Sequence, residues 1–153
     1  MPCIYLKTTI EAPIELVFDL SRSVDAHLQS TSQTNEKVIS GKKHGLLHLN
    51  DTITWRAKHL GIYQNLTVKI TQMNVPNSFI DEMQKGAFKQ FIHVHRFERL
   101  GEKTVMYDEF QFTSPMGWIG KLIDQLFLKR YMREFLILRN NHIKAKAEQK
   151  KSA

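Results

Sequence analysis

The chain of 153 residues contains one cysteine, Cys3. That excludes an internal disulfide framework and any multi-cysteine zinc site, and it suits a reducing, cytoplasmic setting. No apolar run approaches the ~20 residues that a membrane-spanning helix needs. The opening Met1-Pro2-Cys3-Ile4-Tyr5-Leu6-Lys7 lacks the basic flank and apolar stretch of a signal peptide. Internal repeats, linkers and low-complexity segments are missing too, apart from a lysine-rich end. Acidic residues are few, 15 Asp+Glu against 22 Lys+Arg, so the net charge is +7 and the pI ≈ 9.6. More than half of that excess lies from Arg139 onward, where Arg139, Lys144, Lys146, Lys150 and Lys151 face only Glu148. A frayed basic helix end is stabilised by the helix dipole and requires no polyanion. With no RNP-type, zinc-finger or recognition-helix pattern beside the charge, the expectation is no nucleic-acid partner.

What is present is apolar: 42% hydrophobic residues and 10% aromatics, enough for a sizeable core and too many for a disordered chain. At this length one core is the expectation. The reading is a single domain over residues 1–148, followed by a basic, frayed tail at 149–153.

Ile4 to Glu11 alternates loosely and carries Thr8, Thr9 and Ile10, which favours a strand. Ala12-Pro13 ends it, and proline is tolerated at a first helical position because its missing N–H would be unpaired there. Ile14, Val17 and Phe18 then mark a short amphipathic helix. Ser23 or Asp25 can cap a second helix around Ala26, His27 and Leu28. From Glu36 to Thr113 the period becomes two. Ile53, Trp55 and Ala57 share one face, as do Leu66, Val68 and Ile70, with turn signals at Gly41 to Gly45, Leu60-Gly61, Val75-Pro76-Asn77, Lys85-Gly86 and Gly101-Glu102. Such spacing predicts an antiparallel meander. Ser114 and Pro115 open one long final helix, with Ile119, Leu122, Ile123, Leu126, Phe127, Tyr131, Phe135 and Leu138 at helical spacing on its packed side. The opposite side carries Lys121, Asp124, Lys129, Arg130 and Arg133.

The expected architecture is α+β: about seven strands in the order β-α-α-β-β-β-β-β-β-α, curved around a long C-terminal helix. A twisted sheet and a straight helix do not meet everywhere, so a cavity tends to remain between them.

In this order, Ile10-Glu11-Ala12-Pro13-Ile14-Glu15-Leu16-Val17-Phe18, Trp55-Arg56-Ala57-Lys58-His59, Pro76-Asn77-Ser78-Phe79-Ile80-Asp81, Gly86-Ala87-Phe88, His93-Val94-His95-Arg96-Phe97 and Ser114-Pro115-Met116-Gly117 resemble the START / birch-pollen-allergen superfamily, also called SRPBCC, with its helix-grip fold. The likeness is greatest to small bacterial, polyketide-cyclase-like members. It implies a deep pocket for a lipid, sterol, polyketide or quinone in a carrier, sensor or cyclase. Fold alone does not settle the chemistry.

Alternation nominates the lining. Phe91, His93, His95 and Phe97 share one strand face, and Met106, Asp108, Phe110 and Phe112 share another. A two-residue turn at Gly101-Glu102 pairs Leu100 with Lys103. Counting back, Phe97 then opposes Met106, and His95 opposes Asp108. A buried carboxylate needs a partner, which makes His95 the expected neighbour of Asp108. Phe79, Asp81 and Met83 alternate likewise, so Asp81 joins the polar cluster. The expected walls are Trp55, Leu66, Val68, Phe79, Phe91, Phe97, Phe110, Leu122 and Leu126. Met73, Met83, Met106 and Met116 are either an adaptable lining or ordinary gap-filling.

Three roles stand open for Asp81, His93, His95 and Asp108: a structural network that fixes the register, recognition of one polar group on an apolar guest, or catalysis with His95 as a base oriented by Asp108. No nucleophile or oxyanion arrangement accompanies the last. His93-x-His95 aims two imidazoles the same way, with Asp108 as a third donor. A lone histidine pair is a weak motif, and the expectation is no metal and no cofactor. The functional expectation is enclosure of a hydrophobic small molecule by a monomer or weak homodimer. A cyclase or hydrolase using His95 and Asp108 is the alternative. Lys129, Arg130 and Arg133 leave peripheral contact with an anionic membrane surface open, though a solvated helix face accounts for them equally.

Overall fold

In a computed structural model of the chain, residues 2–115 and 117–152 are described. Strand β1 (Cys3–Ile10) leads to helices α1 (Ile14–Ser21) and α2 (Val24–Ser30), then to the meander β2 (Lys37–Ser40), β3 (Thr52–His59), β4 (Ile62–Asn74), β5 (Ser78–Lys85), β6 (Gln90–Leu100) and β7 (Lys103–Thr113). The C-terminal part is α3 (Gly117–Ile123), one π-helical turn (Asp124–Leu128) and α4 (Lys129–Ser152). The seven strands form one sheet in the order β1-β7-β6-β5-β4-β3-β2, with every neighbour antiparallel.

The local causes are plain in the residues. α1 buries Ile14, Val17 and Phe18 at helical spacing, with Glu15 in its first turn. Pro13 sits at its cap, one position ahead of the expected one. Ser23 caps α2, its Oγ accepting from the Ala26 N–H at 3.1 Å. At the β6–β7 turn Gly101 takes φ 61°, and Leu100 pairs with Lys103. The register then sets Phe97 opposite Met106 and His95 opposite Asp108, as the two-residue turn dictates. Phe18 of α1 meets the rings of Phe79 and Phe97 edge-on at 5.6 and 5.3 Å. That contact closes the core under α1.

The last helix departs from expectation in two ways. It is not continuous, since the π-helical turn inserts extra backbone and rotates everything before it relative to α4. The inward stripe of α4 is Leu136, Arg139, Asn140, Ile143 and Ala147. Ile119, Leu122, Ile123, Leu126, Phe127 and Leu138, expected on the packed side, are exposed. α4 continues to Ser152, Lys144 donates to the Thr9 carbonyl at 2.7 Å, Lys146 donates to Gln29, and Arg139 is buried.

Candidate functional site

Between the concave sheet face and α4 lies a cavity of about 300 Å³. Trp55, Leu66, Val68, Phe79, Phe91 and Phe110 line it from the sheet, and Leu128, Tyr131, Met132, Phe135 and Leu136 from the helix. Exposed Leu60, Asn65, Ala87 and Pro115 also belong to its lining, so it has a mouth at the end where the β3–β4 hairpin meets the start of α4. There His59 Nδ1 and the Tyr131 hydroxyl are hydrogen-bonded at 2.7 Å, and the His59 ring meets Phe135 edge-on. Burial lowers the pKa of His59 and raises that of Tyr131.

The inner wall carries the polar groups. His95 Nε2 and Asp81 Oδ2 are 2.9 Å apart, and His93 Nε2 and Asp108 Oδ1 are 2.8 Å apart. Across the register His95 lies directly opposite Asp108 and Asp81 opposite His93, so each imidazole reaches diagonally to the carboxylate of a neighbouring strand. The expected His95–Asp108 pair is therefore only a close approach. His95 Nδ1 lies 3.4 Å from Asp108 Oδ1, and that buried nitrogen has no hydrogen-bond partner among the described residues. The two imidazoles overlap with centroids 3.7 Å apart, and His95 stacks on Phe79 at 4.1 Å.

From α4, Asn140 Nδ2 donates to Asp108 Oδ2 at 2.7 Å and Arg139 Nη1 donates to Asn140 Oδ1 at 2.9 Å. Arg139 Nη2 donates to the Ser21 carbonyl at 3.2 Å, and its Nη1 lies 3.5 Å from Asp108 Oδ1. Burial by itself would raise Asp108. The hydrogen bond from His93, the contact with His95 and the Arg139 charge outweigh it and hold this carboxyl well below the usual range. Asp81 is lowered in the same way, burial being outweighed by His95, His93 and Arg139. Burial, and then the neighbouring His95, push His93 down to about 4, so it is a neutral donor at neutral pH.

Of the residues expected in the site, Trp55, Leu66, Val68, Phe79, Asp81, Phe91, His93, His95 and Phe110 do border the cavity. Phe97 is core beneath α1, and Asp108 stands behind His93. Leu122 and Leu126 point to solvent because the π-helical turn breaks the helical phase on which their placement relied. Among the methionines, Met106 is core, Met73 and Met83 are half-buried, and Met116 lies outside the described residues. Met132, outside the expected lining, borders the cavity.

Arg139 and Asn140 lie outside the expected site, Arg139 falling in the basic helix end. The spacing Leu136, Arg139-Asn140, Ile143, Ala147 carries the signal, a helical stripe with two polar members. His27, whose ring packs on Trp55 at 4.2 Å, has no such signal.

Asp81, His93 and His95 bring one donor atom each to within 4.8 Å of one another. The donors suit a divalent transition metal in kind. Each imidazole holds a carboxylate through Nε2, His93 that of Asp108 and His95 that of Asp81, which leaves Nδ1 as the second ring nitrogen of each. Asp81, not the expected Asp108, is the carboxylate that stands with His93 and His95 as third donor.

No protein-family model matches the sequence, and no curated protein matches it significantly. Solved structures do. TTHA0849 from Thermus thermophilus is similar over 95% of this chain and 99% of that one, with a TM-score of 0.74 at 16% identity. A START superfamily protein from Mycobacterium smegmatis matches 96% of this chain and 97% of its own, at TM-score 0.72 and 12% identity. Major latex-like protein 151 from Panax ginseng matches 95% and 97%, at 0.65 and 13%. The chain thus has the helix-grip fold of the START superfamily protein and its structural neighbours, a curved antiparallel sheet gripping a C-terminal helix.

Proposed function

We propose that the chain binds a hydrophobic small molecule of the lipid, polyketide or quinone class between sheet and α4, as a carrier or sensor in the cytoplasm. The observation that carries the reading is the cavity itself: largely apolar on both walls, open at one end, with a hydrogen-bonded polar cluster where the sheet meets Arg139 of α4. Its volume lies at the lower end of those that hold small ligands. Each Å² of apolar guest removed from water contributes about 25 cal/mol. Asp81, His93, His95 and Arg139, the cluster members that border the cavity, would fix the orientation of one polar group on that guest.

The enzyme reading has one observation in its favour, the two buried imidazole–carboxylate pairs. Against it, two of the lining serines are engaged structurally: Ser21 Oγ donates to the Val17 carbonyl, and Ser23 Oγ serves as the α2 cap. Native mass spectrometry of protein purified from its host tests the choice. The expected spectrum shows a co-purifying adduct, and His95→Ala weakens its retention a few-fold without any conversion of the guest. Turnover of an extracted guest that His95→Ala erases, with binding near normal, would assign an enzyme instead. An adduct-free chain that also takes up no apolar dye would overturn binding altogether.

A further inference from the structure

Six large apolar side chains within ten residues, Trp118, Ile119, Leu122, Ile123, Leu126 and Phe127, are exposed on α3 and the π-helical turn. Trp118 is 77% and Leu126 72% exposed. Isolated exposed apolar residues need no explanation, but a contiguous set marks an interaction surface. A second element of the chain joins it. The β3–β4 hairpin presents Leu60 at 56% and Ile62 at 64% exposure. Leu60 holds φ 54° beside Gly61 at φ 80°, a left-handed conformation that costs a non-glycine residue about 1 kcal/mol. A tight turn is ordinarily built from Asn or Gly, so a leucine displayed there at such a cost needs a reason outside the fold. The hydrogen bond between His59 and Tyr131 ties the hairpin to the start of α4, and Leu60, Pro115, Leu128 and Tyr131 together border the cavity mouth. The two apolar patches therefore flank one opening.

The charge around them selects the occupant. Lys121, Lys129, Arg130 and Arg133 are exposed along the same helical segment, whose sequence holds only Asp124 and Glu134 as acids, and Glu134 is already paired with Arg130 at 3.3 Å. Arg56 and Lys58, exposed on β3, lie over the Tyr63 ring at 5.0 and 5.8 Å. A second copy of this chain would bring +7 against +7. We infer that the mouth face, α3 with the π-helical turn and the β3–β4 tip, docks on an anionic lipid surface, with Trp118, Leu122, Leu126, Leu60 and Ile62 entering the acyl boundary and the Lys and Arg side chains meeting headgroup phosphates. The preference for a bilayer over an acidic protein rests on the cavity reading, because a bilayer is where an apolar guest resides. Docking would place the mouth against that source.

Co-sedimentation of the full chain with vesicles of phosphatidylcholine, alone or mixed equally with phosphatidylglycerol, tests this. The expected result is binding to the anionic vesicles, at least about tenfold weaker on neutral ones and at raised salt. A blue shift of tryptophan emission should accompany it and vanish in Trp118→Ser, since Trp55 is already buried. Leu126→Ser with Trp118→Ser should lower binding on both vesicle types. Arg130→Glu with Arg133→Glu should lower it on the anionic type alone. All these positions are exposed, so unchanged melting temperatures verify that the variants fold. Equal binding to neutral and anionic vesicles, indifference to both double variants, or a dimer in light scattering that buries Trp118 would overturn the proposal. Dye uptake into the cavity is read separately: vesicle binding without uptake strikes the cavity reading, and uptake without vesicle binding strikes docking.

Discussion

Asp108 of β7 receives an imidazole N–H from His93, a side-chain amide N–H from Asn140 and the nearby charge of Arg139, on two other elements, β6 and α4, that meet it only in the folded chain. Fixed donors of this kind compensate a buried carboxylate for lost hydration. The cost falls on His93, which must stay neutral to fit. Its pKa is about 4 in the fold against 6.5 when unconstrained, so between those values the unfolded chain binds a proton that the folded chain refuses. Stability from this residue is fully present above pH 6.5 and is lost as the pH falls towards about 4, a total on the order of 3 kcal/mol. His59, lowered by burial, acts with the same sign. Asp81 and Asp108, both lowered, keep their contribution until the pH drops below the ordinary carboxylate range. Urea unfolding followed from pH 7.5 to 4.5 should show this decline. His93→Gln, which keeps an amide donor for Asp108 and removes the titration, should flatten it. An unchanged slope in the variant would mean that His93 is not the buried neutral group described.

The orientation of α4 is the element on which site and core both depend. Leu136 is buried beside the cavity, while Leu138, two residues on, faces solvent. Leu136→Ala should therefore lower unfolding stability by about 2–5 kcal/mol, and Leu138→Ala by no more than about 0.5 kcal/mol, in the same denaturation assay. Equal costs would mean a different helical phase.

The same contrast explains what the sequence discloses. Strand faces were readable because alternation is local, and one two-residue turn at Gly101-Glu102 fixes the register of Phe97, His95 and Asp108 without knowledge of anything distant. The diagonal choice of partners, His93 with Asp108 and His95 with Asp81, depends on side-chain reach across three strands and leaves no trace in spacing. Helix phase failed for a nameable reason. Five apolar residues at helical spacing before Lys129, Ile119, Leu122, Ile123, Leu126 and Phe127, outweigh the true inward stripe, in which Arg139 and Asn140 occupy positions that hydrophobicity assigns to solvent. A π-helical turn has no compositional signature, so the periodicity was carried through a point where the backbone resets it.

For the molecule as a whole, cavity and stability pull in opposite directions. Side chains around a void lack the contacts that a filled core would supply, and the helix-grip arrangement keeps about 300 Å³ unfilled beneath Trp55, Val68 and Leu136. Ala57 lies on the inward face of β3, buried and on the cavity lining. A leucine there would extend into the void instead of into packed neighbours. Each buried methylene contributes about 0.8 kcal/mol, so Ala57→Leu should raise the unfolding stability of the guest-free chain by about 1–2 kcal/mol, with some of that gain lost to rotamer ordering. The same side chain occupies space the guest needs, so uptake of an apolar fluorescent probe should fall sharply. Thermal melts and probe titrations on one preparation read both effects, and opposite signs are the expected result. A destabilised variant would mean that the space at β3 is already filled. A stabilised variant with undiminished uptake would place the guest elsewhere in the fold.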